Sequence, residues 1–268
     1  MASSFFEQKV IWITGASSGI GRELAKQLAE KGAKLFLSSR REDALNQVKE
    51  GLTNSNKHHV LPLDLSNSES FEELVDSIYA KIDGIDILIN NGGISQRSLA
   101  LETEQTVDRR VMEVDYFGTI HLTKLVAKKM IAQNKGVIVS VSSVAGKVGS
   151  PYRSAYSGAK HALIGFMDCL RAEITKKGVK VQVVCPGWIQ TDISRNALTG
   201  NMSTFGQLDQ EIANGMPVDK FVSKMIKAIE SGKEEVVIAD GMPLLASRLR
   251  RWFPNSFHAL IRKIYTKK

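Results

Sequence analysis

The sequence predicts a single doubly wound α/β domain, built on a parallel sheet of about seven strands with helices on both faces. Short apolar runs alternate with longer stretches of helical period up to residue 240, the pattern of repeated βα units. Most of these runs are rich in Val, Ile and Leu, which is typical of strands covered by helices on both faces. No repeat, linker or shift in composition divides this part of the chain. We therefore predict one domain over residues 1–240.

The predicted elements follow in order along the chain. The strands cover residues 9–14, 34–38, 59–63, 85–90, 136–142, 180–185 and 235–238. The helices between them lie near residues 20–31, 41–52, 68–82, 104–133, 154–177 and 217–231. Gly32, Gly178 and Gly232 directly follow predicted helix ends, where a left-handed cap costs least.

Residues 192–216 interrupt this rhythm between the sixth strand and the next helix. The segment is polar and small apart from Met202 and Phe205, which are residue types that are usually buried. Loops of this length inside compact domains are usually lids or binding loops. A lid is the prediction, and a mobile surface loop is the alternative.

The composition places the chain among globular proteins. It is 43% hydrophobic and 24% charged, with a mean hydropathy of -0.11. Cys169 and Cys185 are far apart and resemble small core residues, so we expect no disulfide framework and no metal site. No apolar run approaches the roughly 20 residues of a membrane-spanning helix. We also expect no signal peptide, and a cytoplasmic protein with peripheral membrane contact left open.

The positive charge is concentrated at the C-terminus. Of the formal net charge of +8, +6 lies in residues 240–268, where seven cations face Asp240 alone. The rest of the chain is nearly balanced, so the basic character gives no reason to expect nucleic-acid binding by the domain.

A glycine-rich turn follows the first predicted strand and opens the first helix, over residues 14–21. Glycines in such a turn allow the backbone to approach a ligand, and the N–H groups of the helix N-terminus face a pyrophosphate. The turn by itself is weak evidence, because structural turns of similar composition are common. The candidate cofactor-binding residues here are Gly15, Ser17, Ser18, Gly19, Ile20 and Gly21.

Three further motifs accompany the turn, and with them residues 8–240 resemble the short-chain dehydrogenase/reductase family, whose domain is of the Rossmann type. The family's TGxxxGxG pattern is met by the turn, and its Asn-Asn-Ala-Gly motif appears at 90–93 with Gly92 in place of Ala. Its active-site pattern, a Ser thirteen residues before Tyr-x-x-x-Lys, is met by Ser143, Tyr156 and Lys160. Its Pro-Gly-x-x-x-Thr is met by Pro186, Gly187 and Thr191.

Tyr156 and Lys160 are four residues apart, so on a helix both project from one face. A tyrosine by itself is a poor acid or base at neutral pH, but a nearby ammonium favours its phenolate. Tyr156 is therefore the candidate acid/base. Ser143, at the end of the fifth strand, would hydrogen-bond the substrate oxygen. The resemblance implies that Lys160 also binds the nicotinamide ribose.

The residue type at position 40, an arginine, indicates which cofactor to expect. Arg40 lies just after the second strand, where an acidic residue would hold a free ribose 2′-hydroxyl and an arginine binds a 2′-phosphate. We therefore expect NADP(H), and interpret the adjacent Arg41 as a solvated charge at a helix start. The resemblance further implies that Asp64 and Leu65 lie against the adenine and that Asn91, Ile189 and Thr191 belong to the cofactor site.

Asp115 is the main departure from the family pattern, because most relatives have Asn at this position. There the Asn shapes a helix kink and supports a water that leads to the active-site lysine. A carboxylate near Lys160 would either pair with it and weaken its effect on Tyr156, or take part in the proton relay. We include Asp115 among the candidate catalytic residues.

These features predict an NADP(H)-dependent oxidoreductase that transfers hydride between nicotinamide and a carbonyl or secondary alcohol. It would run as a reductase, because cellular NADPH is mostly reduced. Trp188, Met202 and Phe205 suit a lipophilic substrate, as in the family's lipid- and steroid-directed carbonyl reductases. The resemblance implies a homodimer or homotetramer. The alternative is an NADP(H)-binding sensor of the same fold with little turnover, which Asp115 favours and the intact Ser143, Tyr156 and Lys160 oppose.

Residues 241–268 form a basic extension that we do not expect to be an independent domain. One apolar stripe is predicted if residues 256–266 are helical. A basic helix of this kind can lie in a membrane interface, or its stripe can pack on the domain or a second subunit. The stripe consists of Phe257, Leu260, Ile261, Ile264 and Tyr265.

Overall fold

The computed structural model describes residues 4–265, except for the side chains of residues 264 and 265. Its centre is a sheet of seven parallel strands in the order β3-β2-β1-β4-β5-β6-β7. The predicted doubly wound α/β architecture is therefore confirmed. The strands are β1 (Val10–Thr14), β2 (Lys34–Ser38), β3 (His59–Val60), β4 (Ile87–Asn90), β5 (Gly136–Val141), β6 (Val179–Pro186) and β7 (Glu235–Ile238).

Ten helices can be assigned within residues 4–265, and none of them is long and apolar enough to cross a membrane. They are α1 (Gly19–Glu30), α2 (Glu42–Glu50), α3 (Phe71–Tyr79), α4 (Gln105–Met112), α5 (Thr119–Ala132), α6 (Ser154–Ile174), α7 (Gln210–Ala213), α8 (Val218–Glu230), α9 (Gly241–Trp252) and α10 (Pro254–Tyr265).

The hydrophobic core lies on both faces of the sheet, because successive strand residues point to opposite sides. Ile11 and Ile13 of β1 pack in the cluster that α1, α2 and α8 cover, whereas Trp12 packs in the cluster under α3, α5 and α6. Trp12 is fully buried, and its indole N–H donates to the Ser38 hydroxyl at 2.8 Å. This double covering explains why the strands are apolar without alternation.

The strand order reverses between β1 and β4, which are neighbours in the sheet although β2 and β3 come between them in the chain. The connections of β1 and β4 leave in opposite directions from this point. A crevice therefore opens at the carboxyl ends of these strands, where ligands bind in sheets of this kind.

Several predicted elements differ in extent from the observed ones, among them the helix predicted over 68–82, which is observed over Phe71–Tyr79. The third strand is shorter than 59–63 in its regular ladder, although the N–H groups of Leu61 and Leu63 still donate to the carbonyls of Leu37 and Ser39. The single helix predicted over 104–133 is divided into α4 and α5 by a π-helical segment, Glu113–Gly118.

Gly118 explains where the π-helical segment lies. The backbone of Leu65 approaches this point so closely that a Cβ on residue 118 would lie 1.8 Å from the Leu65 carbonyl oxygen. Only glycine accommodates that approach. The Thr119 hydroxyl donates to the Val114 carbonyl at 3.2 Å and satisfies an acceptor within the widened turn.

The segment 192–216 is ordered and tied to the domain. It contains α7, and Leu198 bridges to Gln96 in a short parallel pair. Asp209 is buried and forms ion pairs with Arg97, at 3.1 Å, and with Arg153. The Arg97 guanidinium also lies 4.9 Å from the centre of the Tyr152 ring. This buried pairing holds the segment in place.

The expected burial of Met202 and of Cys169 needs correction, whereas the C-terminal stripe follows one of its two predicted alternatives, packing on the domain. Met202 is 42% exposed and lies on the wall of the cavity described below, whereas Phe205 is partly buried. Cys169 is exposed on the outer face of α6, and Cys185 is buried in β6. Of the predicted C-terminal stripe, Phe257 is buried on the domain and Leu260 and Ile261 are partly buried. The side chains of Ile264 and Tyr265 lie outside the described residues.

Candidate active site

A cavity of about 800 Å³ opens at the carboxyl ends of the strands. It extends from the end of β2 to the C-terminal helices. The predicted site residues on its wall are Gly15, Ser17, Ser18, Gly19, Ile20, Arg40, Asp64, Leu65, Asn91, Asp115, Ser143, Tyr156, Lys160, Ile189 and Thr191.

Gly21 lies behind this wall. A Cβ there would be 2.2 Å from the carbonyl oxygen of Gly15, so the residue lets α1 pack closely on the turn. The described first turn of α1 contains no acidic residue, and no side chain caps its N-terminus. Its backbone dipoles therefore favour an anion at this point.

Asn91 braces the glycine turn from the neighbouring strand end. Its side-chain amide donates to the carbonyls of Thr14 and Gly15 at 3.1 and 3.2 Å. In return, the Thr14 hydroxyl accepts hydrogen bonds from the backbone N–H groups of Asn91 and Gly92. These contacts fix the ends of β1 and β4 relative to each other at the crevice.

The end of the cavity near β2 is positively charged. Arg40, Arg41 and Arg110 all line it, and Arg41 is also exposed at the N-cap of α2, as predicted for a charge at a helix start. The sequence analysis missed Arg110 because it lies on α4, far along the chain from the cofactor motifs.

Asp64 shows the effect of these charges. Burial opposes ionisation of its carboxyl, but hydrogen bonds from Ser66 favour it, as do the nearby Arg110 and Arg40. The net result is a pKa of Asp64 below the ordinary value. This end of the cavity therefore suits a ligand that carries phosphate groups.

Tyr156 and Lys160 lie on one face of α6, both buried, with the Lys160 ammonium 5.6 Å from the centre of the Tyr156 ring. Ser143 follows β5 directly, and its hydroxyl accepts the N–H of Ala145 at 3.0 Å, which starts a short turn. The neighbouring Ser142 hydroxyl donates to the Lys160 carbonyl and joins β5 to α6. The three predicted catalytic side chains are thus brought to one cavity by two adjacent elements.

Asp115 forms a buried ion pair with Lys160, with 3.2 Å between its Oδ2 and the Lys160 Nζ. Its Oδ1 accepts the backbone N–H of Ile94 at 2.7 Å. The Lys160 ammonium also donates to the Val141 carbonyl at 3.3 Å. Asp115 lies in the π-helical segment, whose widened turn carries it to the floor of the cavity.

The pair perturbs both ionisations. Burial raises the pKa of Asp115, against the attraction of Lys160. Burial, the largest single effect, opposes the charge on Lys160, but Asp115 together with Tyr156 and Cys185 outweighs it and raises the pKa of the lysine. A protonated Lys160 beside Tyr156 favours negative charge on the phenol oxygen. The arrangement can therefore hold a proton on Tyr156 and stabilise the anion left after its transfer.

The other half of the cavity is mostly apolar. Val148, Trp188 and Leu198 line it, and the C-terminal helices close one side. The wall residues from those helices are Met242, Pro243, Ala246 and Ile261. The apolar character of the C-terminal extension is visible in the sequence. Its position at the cavity is not, since nothing local in the sequence indicates which part of the domain the extension packs against.

Within residues 4–265, no group of three or more His, Cys, Asp or Glu side chains could hold a metal ion.

Comparison of the sequence with known proteins gives consistent relatives. A family model described as short chain dehydrogenase matches residues 9–201. The chain is 42% identical over 261 residues to "Dehydrogenase/reductase SDR family protein 7-like" of Anopheles gambiae, a match covering 95% of this chain and 82% of that protein. It is 38% identical over 267 residues to "Dehydrogenase/reductase SDR family member 7B" of Xenopus tropicalis, with 97% and 86% covered.

Solved structures share the fold. A short-chain dehydrogenase/reductase from Burkholderia phymatum, in complex with NAD, has a TM-score of 0.80 at 24% identity, covering 94% of this chain and 95% of the other. A short-chain dehydrogenase from Burkholderia cenocepacia, in complex with NADP, has a TM-score of 0.77 at 26% identity, covering 96% and 98%. Both cofactors thus occur among the structural neighbours.

Proposed function

The chain belongs to the short-chain dehydrogenase/reductase family, and on this premise we propose that it is an NADP(H)-dependent reductase of lipophilic ketones or aldehydes. The family consists of oxidoreductases that bind NAD(P) and act on small molecules. The main support for NADP(H)-dependent carbonyl reduction is that Ser143, Tyr156 and Lys160 line the same cavity as the arginines near β2.

The residues of the cavity fit a dinucleotide. The open N-terminus of α1 suits the pyrophosphate, and Asp64 and Leu65 lie on the wall where the adenine would be held. Arg40, Arg41 and Arg110 give the ribose end a positive charge, and the sequence from Leu37 to Arg41 contains no acid to hold a free 2′-hydroxyl. These features support NADP(H) rather than NAD(H).

When bound, the nicotinamide cofactor supplies a hydride. In reduction, the Tyr156 hydroxyl donates its proton to the substrate carbonyl oxygen, and the Ser143 hydroxyl donates a hydrogen bond to the same oxygen. The ammonium of Lys160 then stabilises the phenolate left on Tyr156. Asp115 holds that ammonium in position from the opposite side.

The substrate would bind in the apolar half of the cavity, against Trp188 and the C-terminal helices. This lining supports a lipophilic substrate.

We further propose that the protein is a homodimer or homotetramer, on the strength of the family resemblance. The cytoplasmic location remains a prediction from the sequence.

The direct test is a screen for NADPH oxidation with ketones, aldehydes and lipid carbonyls, run in parallel with NADH. We expect turnover with NADPH and higher kcat/KM for lipophilic substrates than for small polar ones. Tight NADPH binding without turnover on any carbonyl would instead favour the alternative, a sensor protein that retains the fold and the cofactor.

A further inference from the structure

An exposed apolar surface lies beside the cavity, on α9 and the corner that follows it. It consists of Met242, Leu245, Trp252 and Phe253, whose exposed fractions are 44%, 53%, 71% and 62%. We call these four side chains the α9 surface. It is distinct from the stripe predicted further along the chain, since Phe257 of that stripe is buried.

The geometry of α9 separates its two faces. Met242, Leu245 and Trp252 are spaced by three and seven residues, so they follow one stripe along the helix. Pro243 and Ala246, on the adjoining face, are buried against the domain. The buried face fixes the orientation of α9, and the apolar stripe is therefore held outward.

The charge around the α9 surface is mainly positive, with the exposed carboxylate of Asp240 at the N-cap of α9 as a counterexample. Arg248 is exposed and lies between Leu245 and Trp252 in helical spacing, and the Arg251 guanidinium lies 5.9 Å from the centre of the Trp252 ring. Residues 241–268 contain no Asp or Glu. Aromatic and aliphatic side chains among arginines suit an anionic lipid surface. A symmetric contact with a second copy would instead bring the same arginines together.

The α9 surface adjoins the cavity. Met242 belongs to the surface and also lines the cavity, where Pro243, Ala246 and Ile261 continue the wall inward. One apolar path therefore leads from the outside of α9 toward Tyr156.

We propose that the α9 surface docks the protein on an anionic lipid bilayer, with the cavity opening toward the membrane. A lipophilic substrate passes from the bilayer into the cavity along Met242. This passage of substrate rests on the proposed function, whereas the docking does not.

Sedimentation of the full chain with phosphatidylglycerol–phosphatidylcholine vesicles tests the docking. We expect binding that weakens with salt and is much weaker with phosphatidylcholine alone. Replacing Trp252 and Phe253 together by Ser should reduce partitioning at least tenfold, because each loses apolar burial. Replacing Arg248 and Arg251 by Gln should reduce it about fivefold for each cation removed.

Matched controls use exposed residues elsewhere. Leu101→Ser removes an exposed apolar side chain, and Lys176→Gln with Lys177→Gln removes exposed cations from the end of α6. These variants should bind vesicles like the unaltered protein. Equal binding by the Trp252/Phe253 variant, or no binding by the intact chain, would overturn the proposal. So would a change in sedimentation coefficient of that variant in the absence of vesicles, which would identify the surface as a contact between copies.

The activity on a water-soluble carbonyl separates the two proposals. The Trp252/Phe253 variant should keep its rate with that substrate and lose rate only with a substrate supplied in vesicles. A protein that binds vesicles but reduces no carbonyl would contradict the proposed function and still support docking.

Discussion

At the scale of a single residue, we propose that Arg40 selects the cofactor. It shares the wall of the cavity with Arg41 and Arg110, and its charge helps to depress the pKa of Asp64. A 2′-phosphate placed here would receive charge-assisted hydrogen bonds, whereas a 2′-hydroxyl would not.

Arg40→Ala should therefore weaken NADPH binding about 10- to 150-fold, corresponding to about 1.5–3 kcal/mol for a charge-assisted contact, and NADH binding far less. Fluorescence titration with each cofactor measures both constants. Arg109→Ala is the matched control, since Arg109 is exposed on α4 and lies outside the cavity wall. Equal losses for NADPH and NADH would remove the assignment of Arg40.

Asp115 pairs with Lys160, which lies beside the proposed catalytic Tyr156. Its carboxylate raises the pKa of Lys160, and it adds a negative charge close to the position where the Tyr156 phenolate forms. Asn at this position could still accept the Ile94 N–H, but it would remove the negative charge.

Asp115→Asn should retain activity and move the alkaline limb of the pH–rate profile for reduction to lower pH. The reason is that Asp115 helps to raise the pKa of Lys160, so without its carboxylate the ammonium that stabilises the Tyr156 oxygen is lost at lower pH. Asp168→Asn, an exposed carboxylate on α6, should leave the profile unchanged. An inactive Asp115→Asn enzyme would show that the carboxylate itself is required, and an unchanged profile would contradict the electrostatic role.

At the scale of elements, the two phenylalanines on either side of the start of α10 differ in burial. Phe257 is 2% exposed and packs with Val148 and Ala246, whereas Phe253, which precedes the helix, is 62% exposed. The contact joins the C-terminal extension to the turn after β5, next to Ser143.

Phe257→Ala should lower the free energy of unfolding by about 3 kcal/mol, at the lower end of the range for buried phenylalanines because this cluster is small and peripheral. Phe253→Ala should change it by less than about 0.5 kcal/mol. Denaturant unfolding of both variants measures the difference. Similar small effects for the two would show that α10 is not anchored by Phe257.

The elements of the sheet were predictable because each strand is a continuous apolar run between turn signals, as in β1 and β5. The division of the helix over 104–133 was not, because it depends on the contact between Gly118 and Leu65, which are distant in sequence. The same limit applies to the site. Motif spacing brought Ser143, Tyr156 and Lys160 together, whereas Arg110 and Ile261 reach the cavity only through tertiary packing.

At the scale of the whole molecule, the reversal of strand order between β1 and β4 determines where the cavity opens. One cavity joins the arginines near β2, the predicted catalytic side chains of α6 and wall residues from α9 and α10. In the proposed reductase the cofactor would bind beside these arginines, and the substrate beside α9 and α10. We propose that Tyr156 supplies the proton for carbonyl reduction.

The most direct test compares the rate of NADPH-dependent reduction of the best carbonyl substrate by the unaltered protein and by Tyr156→Phe, with NADPH affinity measured on both. Tyr152→Phe, a nearby tyrosine outside the cavity wall, serves as the control and should behave like the unaltered protein. We expect nearly unchanged NADPH affinity and a rate lowered about 10²- to 10⁴-fold for Tyr156→Phe. Reduction by Tyr156→Phe as fast as by the unaltered protein would contradict the account.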